Sequence, residues 1–244
     1  MNATAGVWRN RLLAALPREV LERWLVHLEP EEMRLGDTVH EPGRPMPHAH
    51  FPTTAVVSLL HVMQEGASAE IAIVGRDGVV GMSPFAGDAS TSTHGVVQGG
   101  GLAYRLPQAV LRDELARGGA AAELLLRFTQ ALLCQVTQTA ACNRHHHIEQ
   151  QLCRWLLLSL DRIDGDELVM TQELISHMLG VRREGVTQAA LSLQRQGVIQ
   201  YSRGHIVVPD RTLLEARTCE CYATVEKTYE RLLPRRARPA PASH

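Results

Sequence analysis

Apolar residues recur at helical spacing over residues 10–28 (Leu12, Leu13, Leu16, Val20, Leu21, Trp24, Leu25), which predicts a short amphipathic helix or two. From about residue 33 to 106 the texture changes. Turn-forming residues cluster at Gly36-Asp37, Pro42-Gly43, Gly66, Gly75-Arg76-Asp77-Gly78, Gly87-Asp88 and Gly99-Gly100-Gly101. Between them lie short β-rich runs, among them Ala55-Val56-Val57-Ser58-Leu59-Leu60 and Ile71-Ala72-Ile73-Val74. Short strands punctuated by glycine turns predict a compact antiparallel β-roll, jelly-roll-like in plan.

Pro107 introduces a helical stretch, and residues 120–141 contain neither proline nor glycine. Leu125, Phe128, Leu132, Val136 and Ala140 follow one another at steps of three and four, so they share one side of a helix. That side either packs on the roll or pairs with a second copy. Pairing is the expectation, because Leu124, Leu126 and Leu133 offer another apolar side for the roll. From Ile148 the pattern is helical again, with Leu152, Trp155, Leu156 and Leu160 expected inside and Arg154 and Asp161 outside. The expected class is α+β in four parts: a β-roll domain (10–106), a dimerisation helix with its hinge (107–147), a winged helix-turn-helix (148–233) and a proline-rich disordered tail (234–244).

The most informative stretch runs from Met170 to Leu193. Thr171 is a natural cap for a short helix, and Gly180 suits the left-handed turn that would end it. A second helix is expected over residues 182–196, with Leu174, Ile175, Met178, Val181, Val186, Ala190 and Leu193 packing the pair together. What remains outward is Arg182, Arg183, Glu184, Thr187 and Gln188. Arginine can grip guanine O6 and N7, glutamate can accept from cytosine N4, and glutamine can pair with adenine. Arg182 is better placed for a phosphate. Two short β-runs around Arg203-Gly204 then predict a hairpin wing whose tip, Ser202, Arg203 and His205, would meet the DNA backbone. Between Ser176 and Ile206 four arginines face one glutamate.

Composition adds limits. The chain has 244 residues and a formal net charge of -1, so any nucleic-acid binding rests on local charge. Its first residues lack a charged start followed by an apolar run, and no apolar segment approaches membrane-spanning length, so a cytoplasmic protein is expected. Five cysteines, Cys134, Cys142, Cys153, Cys219 and Cys221, do not form a secreted disulfide pattern. Cys142 and His146, four apart, could face one way on a helix as metal ligands do, although a plain polar hinge is the favoured reading. Cys219 and Cys221, two apart, would diverge on a helix and could not share an ion. No metal site or cofactor is assigned. His40, His48, His50 and His61, in or beside the roll, include possible haem or metal ligands but are expected to be solvated. No paired carboxylates, phosphate-binding glycine loop or nucleophile–base pair stands out, so an enzyme is not expected.

The segment Leu179-Gly180-Val181-Arg182-Arg183-Glu184-Gly185-Val186, with Leu191 and the run Val198 to Val208, resembles the winged helix of the Crp/Fnr family. The order of roll, long helix, hinge and winged helix matches as well, over roughly residues 12–209. The resemblance implies a homodimeric transcription regulator that binds a near-palindromic operator in double-stranded DNA and works with RNA polymerase. Arg183 and Glu184 match the family's base-reading pair, which the resemblance places on a G·C pair. Arg182, Gly185 and Gln188 depart from its serine, threonine and later arginine. Members that bind cyclic nucleotides use a glutamate in the roll and an arginine for the cyclic phosphate. Here Met82 stands in place of the acid, in the stretch Gly81 to Phe85, and no arginine occurs between Arg76 and Arg105. An enclosed phosphate needs a charged partner, so cAMP is not expected to bind. The competing reading is a small-molecule signalling module that acts on protein partners without DNA. It leaves the Arg183–Glu184 face without a role.

Overall fold

A computed structural model describes residues 6–82 and 91–233. The expected tail at 234–244, and the part of the Gly81 to Phe85 stretch beyond Met82, lie outside the described residues. A short 3-10 turn (Val7–Arg9) leads into helices α1 (Arg11–Ala15) and α2 (Arg18–Leu25), which Pro17 separates. Asn10 is buried and uses its whole amide. Its oxygen accepts from the Leu12 and Leu13 amides, and its nitrogen donates to the carbonyls of Pro52 and Gly78. That pins the first helix to the roll.

The roll comprises β1 (Glu29–Met33), β2 (Thr38–His40), β3 (His48–Pro52), β4 (Val56–Val62), β5 (Ser68–Val74), β6 (His94–Gly99) and β7 (Gly101–Pro107). They form two antiparallel sheets, ordered β1-β7-β3 and β2-β6-β4-β5. Gly99 to Gly101 is the turn between β6 and β7, as its composition predicts. Phe51, Val57, Ile73, Val97 and Leu106 fill the interior, and Trp24 covers it with its ring 5.8 Å from that of Phe51.

Helix α3 (Gln108–Arg117) then precedes the long α4 (Ala120–His145). Beyond it lie α5 (Ile148–Leu160), β8 (Glu167–Val169), α6 (Gln172–Leu179), α7 (Arg183–Arg195), β9 (Gln200–Ser202), β10 (His205–Val207), α8 (Arg211–Glu215) and α9 (Glu220–Leu232). The last sheet is ordered β8-β10-β9.

The pairing side of α4 needs correction. Leu125 and Phe128 are fully buried within their own chain, where Phe128 lies so close to Gly78 that any Cβ there would collide with it. Leu132 and Val136 are half-buried and Ala140 is exposed. The leucines assigned to the roll split as well: Leu124 is buried, whereas Leu126 and Leu133 are 62% and 54% exposed. Two apolar stripes of similar strength run along this helix. Which one meets the roll depends on where the Gly75–Gly78 turn presses, and periodicity carries no such information.

Arg154 is a second correction, being buried rather than outside, with Nη1 donating to Thr139 Oγ1 on α4 at 3.2 Å. From Gln151 to Leu160 helix α5 is buried on every side, packed against α7, α8 and α9, so it has no wet face there. The third correction concerns Cys219 and Cys221. Cys219 is the extended N-cap of α9 (φ -88°, ψ 168°) and Cys221 lies inside the helix, so the divergence of neighbours on a helix does not apply. Both side chains turn to Cys142, and Cys142 Sγ lies 3.6 Å from Cys219 Sγ.

Buried polar links join the roll to the helices beyond it. Gln135 on α4 donates to Ile73 O and to the Tyr229 hydroxyl, and its oxygen accepts from Ile73 N. Arg162 pairs with Asp77 at 2.7 Å and lies over the Tyr229 ring, 5.6 Å from its centre. Arg76, in the same turn, donates to the carbonyls of Asp161 and Ile163. Ser58, Glu70 and Gln98 form a chain that ends on Ser159 of α5. Burial pushes the Glu70 carboxyl up to about 7, and the Ser58 hydrogen bond opposes that only in part. Ser58 has one hydroxyl hydrogen and two acceptors beside it, so a protonated Glu70 completes the chain.

Candidate nucleic-acid interface

Helix α6 starts at Thr171, whose Oγ1 accepts from Leu174 N, and ends at Gly180 in the left-handed region (φ 65°, ψ 33°). A residue with a Cβ would be strained there, and its Cβ would also press on Ala69 of β5. Arg182 is the extended N-cap of α7, and Val186, Ala189, Ala190 and Leu193 point into the core. Subtracting that buried stripe leaves Arg182, Arg183, Glu184 and Gln188 exposed along the opening turns.

Thr187 of the predicted reading face, and Gly185 beside it, behave otherwise. Thr187 is half-buried and its hydroxyl donates to Gln172 Oε1 at 2.7 Å, so it braces α7 against the start of α6. Gly185 faces inward, and a Cβ there would come within 2.6 Å of the Ile148 side-chain tip. Glycine at this position therefore seats α7 close to the start of α5.

The wing is a hairpin of β9 and β10, with His205 opposite Ser202 and Ile206 opposite Tyr201. Arg203 (φ 50°) and Gly204 (φ 84°) both take left-handed backbone, the geometry of a tight two-residue hairpin turn. Ser202, Arg203 and His205 are exposed at its tip. His205 Nδ1 lies 2.5 Å from Glu167 Oε1 on the neighbouring strand β8, which fixes the ring. Tyr201 donates to Met170 O and fixes the wing to the approach of α6.

Between wing and helices lies an open cleft of about 300 Å³, lined by Thr171, Gln172, Arg183, Tyr201, Arg203 and Gly204. Two guanidinium-bearing residues and the amino end of α6 thus converge on one space. Many arginines elsewhere are neutralised: Arg23 by Glu114, Arg105 by Glu29, Arg162 by Asp77 and Arg211 by Asp161. Arg182, Arg183 and Arg203 form no ion pair among the described residues. Their charge is available to a polyanion.

The roll histidines are placed differently from one another. His50 pairs with Glu31 at 2.7 Å, while His40 is buried beside Thr93 and burial lowers it to about 4. His61 is exposed. Among the described residues none of His40, His48, His50 or His61 joins a group of three metal-ligating side chains.

A DNA-binding transcription regulator is the class of protein that this domain and fold define. Residues 150–217 match the Crp-like helix-turn-helix domain, which marks the chain as a DNA-binding transcription regulator. Its fold is shared with FixK2 from Bradyrhizobium japonicum (TM-score 0.65, 17% identity, 79% of this chain and 98% of that one). A CRP/FNR-family transcriptional regulator from Thermus thermophilus is similar (TM-score 0.60, 20% identity, 80% and 98%). So is the c-di-GMP-responsive global regulator CLP from Xanthomonas campestris (TM-score 0.62, 15% identity, 79% and 99%). No curated protein matches the chain by sequence.

Proposed function

We infer that the chain acts as a homodimer, reads a near-palindromic site in double-stranded DNA with the start of α7 in the major groove, and regulates transcription together with RNA polymerase. The observation that carries this is the convergence of Arg183 and Arg203 on the cleft between the wing and the start of α6, with Arg182 beside them, all three exposed and in no ion pair among the described residues. Arg183, Glu184 and Gln188 are the base readers in this account. Arg182, Ser202, Arg203 and His205 hold phosphates, and Thr187 positions α7. The cleft between α6 and the wing has the size and charge for a backbone phosphate.

Pairing uses the exposed side of α4 rather than Leu125 and Phe128. Leu126, Gln130, Leu133, Thr137, Ala140 and Arg144 follow the heptad spacing of a two-helix seam and are all exposed. Two-fold pairing there would set two α7 helices one DNA turn apart. No described helix is long and apolar enough to cross a membrane, which suits a cytoplasmic regulator. Its signal is one other than cAMP, given the missing arginine between Arg76 and Arg105. Catalysis has no part in this account.

The test compares Arg183→Ala and Arg182→Ala with the parent on selected and on random duplexes, at two salt concentrations. Arg183→Ala is expected to cost about 1–3 kcal/mol on the selected site and to relax one base-pair preference. Arg182→Ala is expected to weaken all duplexes alike and to flatten the salt dependence. Equal losses on both duplexes from both variants would overturn the assignment.

A further inference from the structure

The structure brings Cys142, His146, Cys219 and Cys221 to one point, with one ligand atom from each lying within 4.8 Å of every other. Cys142 sits in the last turn of α4 and His146 is that helix's extended C-cap. Cys219 and Cys221 come from the start of α9, some seventy residues later in the chain. All three cysteines are buried and His146 is half-buried. Cys142 Sγ lies 3.6 Å from Cys219 Sγ, and Cys221 Sγ lies 3.7 Å from His146 Nδ1.

We propose that these four side chains form a closed, tetrahedral Cys3His site for one zinc ion, which clasps the hinge after α4 to the start of α9. Metal–sulfur bonds of about 2.3 Å in a tetrahedron put sulfurs about 3.8 Å apart, close to the 3.6 Å between Cys142 and Cys219. An iron–sulfur cluster holds its thiolates on the outside of a cage and needs them farther apart. A disulfide would use two of the four groups and give no role to the histidine. A plain apolar cluster of thiols would not draw in an imidazole nitrogen.

The surroundings complete the site. With Nδ1 turned to the thiols, His146 Nε2 lies 3.4 Å from Glu220 Oε2. A carboxylate behind a ligating histidine fixes the ring and its tautomer. Three thiolates and a neutral imidazole around Zn2+ carry a net negative charge. The buried guanidinium of Arg154, held at Thr139 one turn before Cys142 on α4, is a positive charge placed to offset it. Cys134 and Cys153 do not belong to the group.

The site is independent of how DNA is read, and its test leaves DNA aside. Untagged full-length protein, purified without added metal, is assayed by mass spectrometry for metals and by a colorimetric zinc indicator after thiol modification. One zinc per chain is expected. Chelated protein given Co2+ is expected to show the visible bands of tetrahedral cobalt with thiolate charge transfer. Cys219→Ala and His146→Ala should lose the metal, while Cys134→Ala should keep it. If those variants fail to fold, cobalt uptake by the chelated parent decides alone. Metal-free protein that takes up no Co2+ through thiolates would overturn the proposal. So would iron with inorganic sulfide, or undiminished zinc in a folded Cys219→Ala protein.

Discussion

Asp77→Ala offers a sharp test of how the roll is joined to the DNA-binding part. Asp77 sits in the turn that follows β5, and its Oδ1 accepts from Gly75 N. Its other oxygen lies 2.7 Å from Arg162, whose side chain is 3% exposed. Removing the carboxylate leaves a buried guanidinium with the Leu158 carbonyl, the Tyr229 ring and the more distant Asp161 carboxylate as its remaining company. An exposed pair would cost at most about 1 kcal/mol, whereas breaking a buried one costs about 3–5 kcal/mol because an uncompensated charge stays inside. With whole domains stable by only about 5–15 kcal/mol, that is a large share. Urea denaturation followed by circular dichroism and by tryptophan fluorescence measures it, and coincident transitions would show that both parts unfold together. The double variant Asp77→Ala/Arg162→Met should recover most of the loss, since no charge remains to be stranded. A loss below about 1 kcal/mol for Asp77→Ala alone, or a double variant as weak as the single, would refute the reasoning.

Two further outcomes follow from the same packing. Leu126→Glu with Leu133→Glu should yield monomers in sedimentation and lose operator affinity; each half-exposed leucine contributes about 1 kcal/mol or more on pairing, so the four in a dimer supply roughly 4–6 kcal/mol. A dimer that survives both changes would place the seam elsewhere. Glu70 is raised to about 7 by burial, so the folded state binds its proton more tightly than the unfolded one. Its contribution is therefore whole below about pH 4.5 and is lost as pH rises through 7, a change of about 3 kcal/mol. Glu70→Gln, neutral throughout, should gain on the parent between about pH 5 and pH 8 in denaturation midpoints. Parallel pH profiles for the two proteins would contradict a buried, protonated Glu70.

Much of this architecture is legible in the residues because local chemistry dictates it. Glycine clusters and β-branched runs mark the strands, Thr171 and Gly180 mark the two ends of α6, and Arg203-Gly204 marks the wing turn. The outward position of Arg182, Arg183, Glu184 and Gln188 follows from subtracting apolar positions, and their exposure agrees. What escapes is whatever depends on a distant partner. Leu125 and Leu126 are indistinguishable until Gly78 presses on Phe128 and settles which stripe of α4 is inside. Arg154 reads as a surface residue until α4 covers it. The Cys142, His146, Cys219 and Cys221 group depends on α9 folding back to α4, and on Cys219 being a cap rather than a helical residue. Two cysteines flanking a helix start, with a distant Cys-x3-His, were the available signal. The Gly75-Arg76-Asp77-Gly78 run shows a turn but not that its charged pair reaches Asp161, Arg162 and Ile163.

The most direct test of the central claim is selection of duplexes from a random library by the full-length chain, repeated with Arg183→Ala. Two inverted half-sites are expected, with centres about 10–10.5 base pairs apart or a multiple of that, and one G·C preference in each that fades in the variant. No enriched sequence, or an enriched site unchanged by Arg183→Ala, would contradict it.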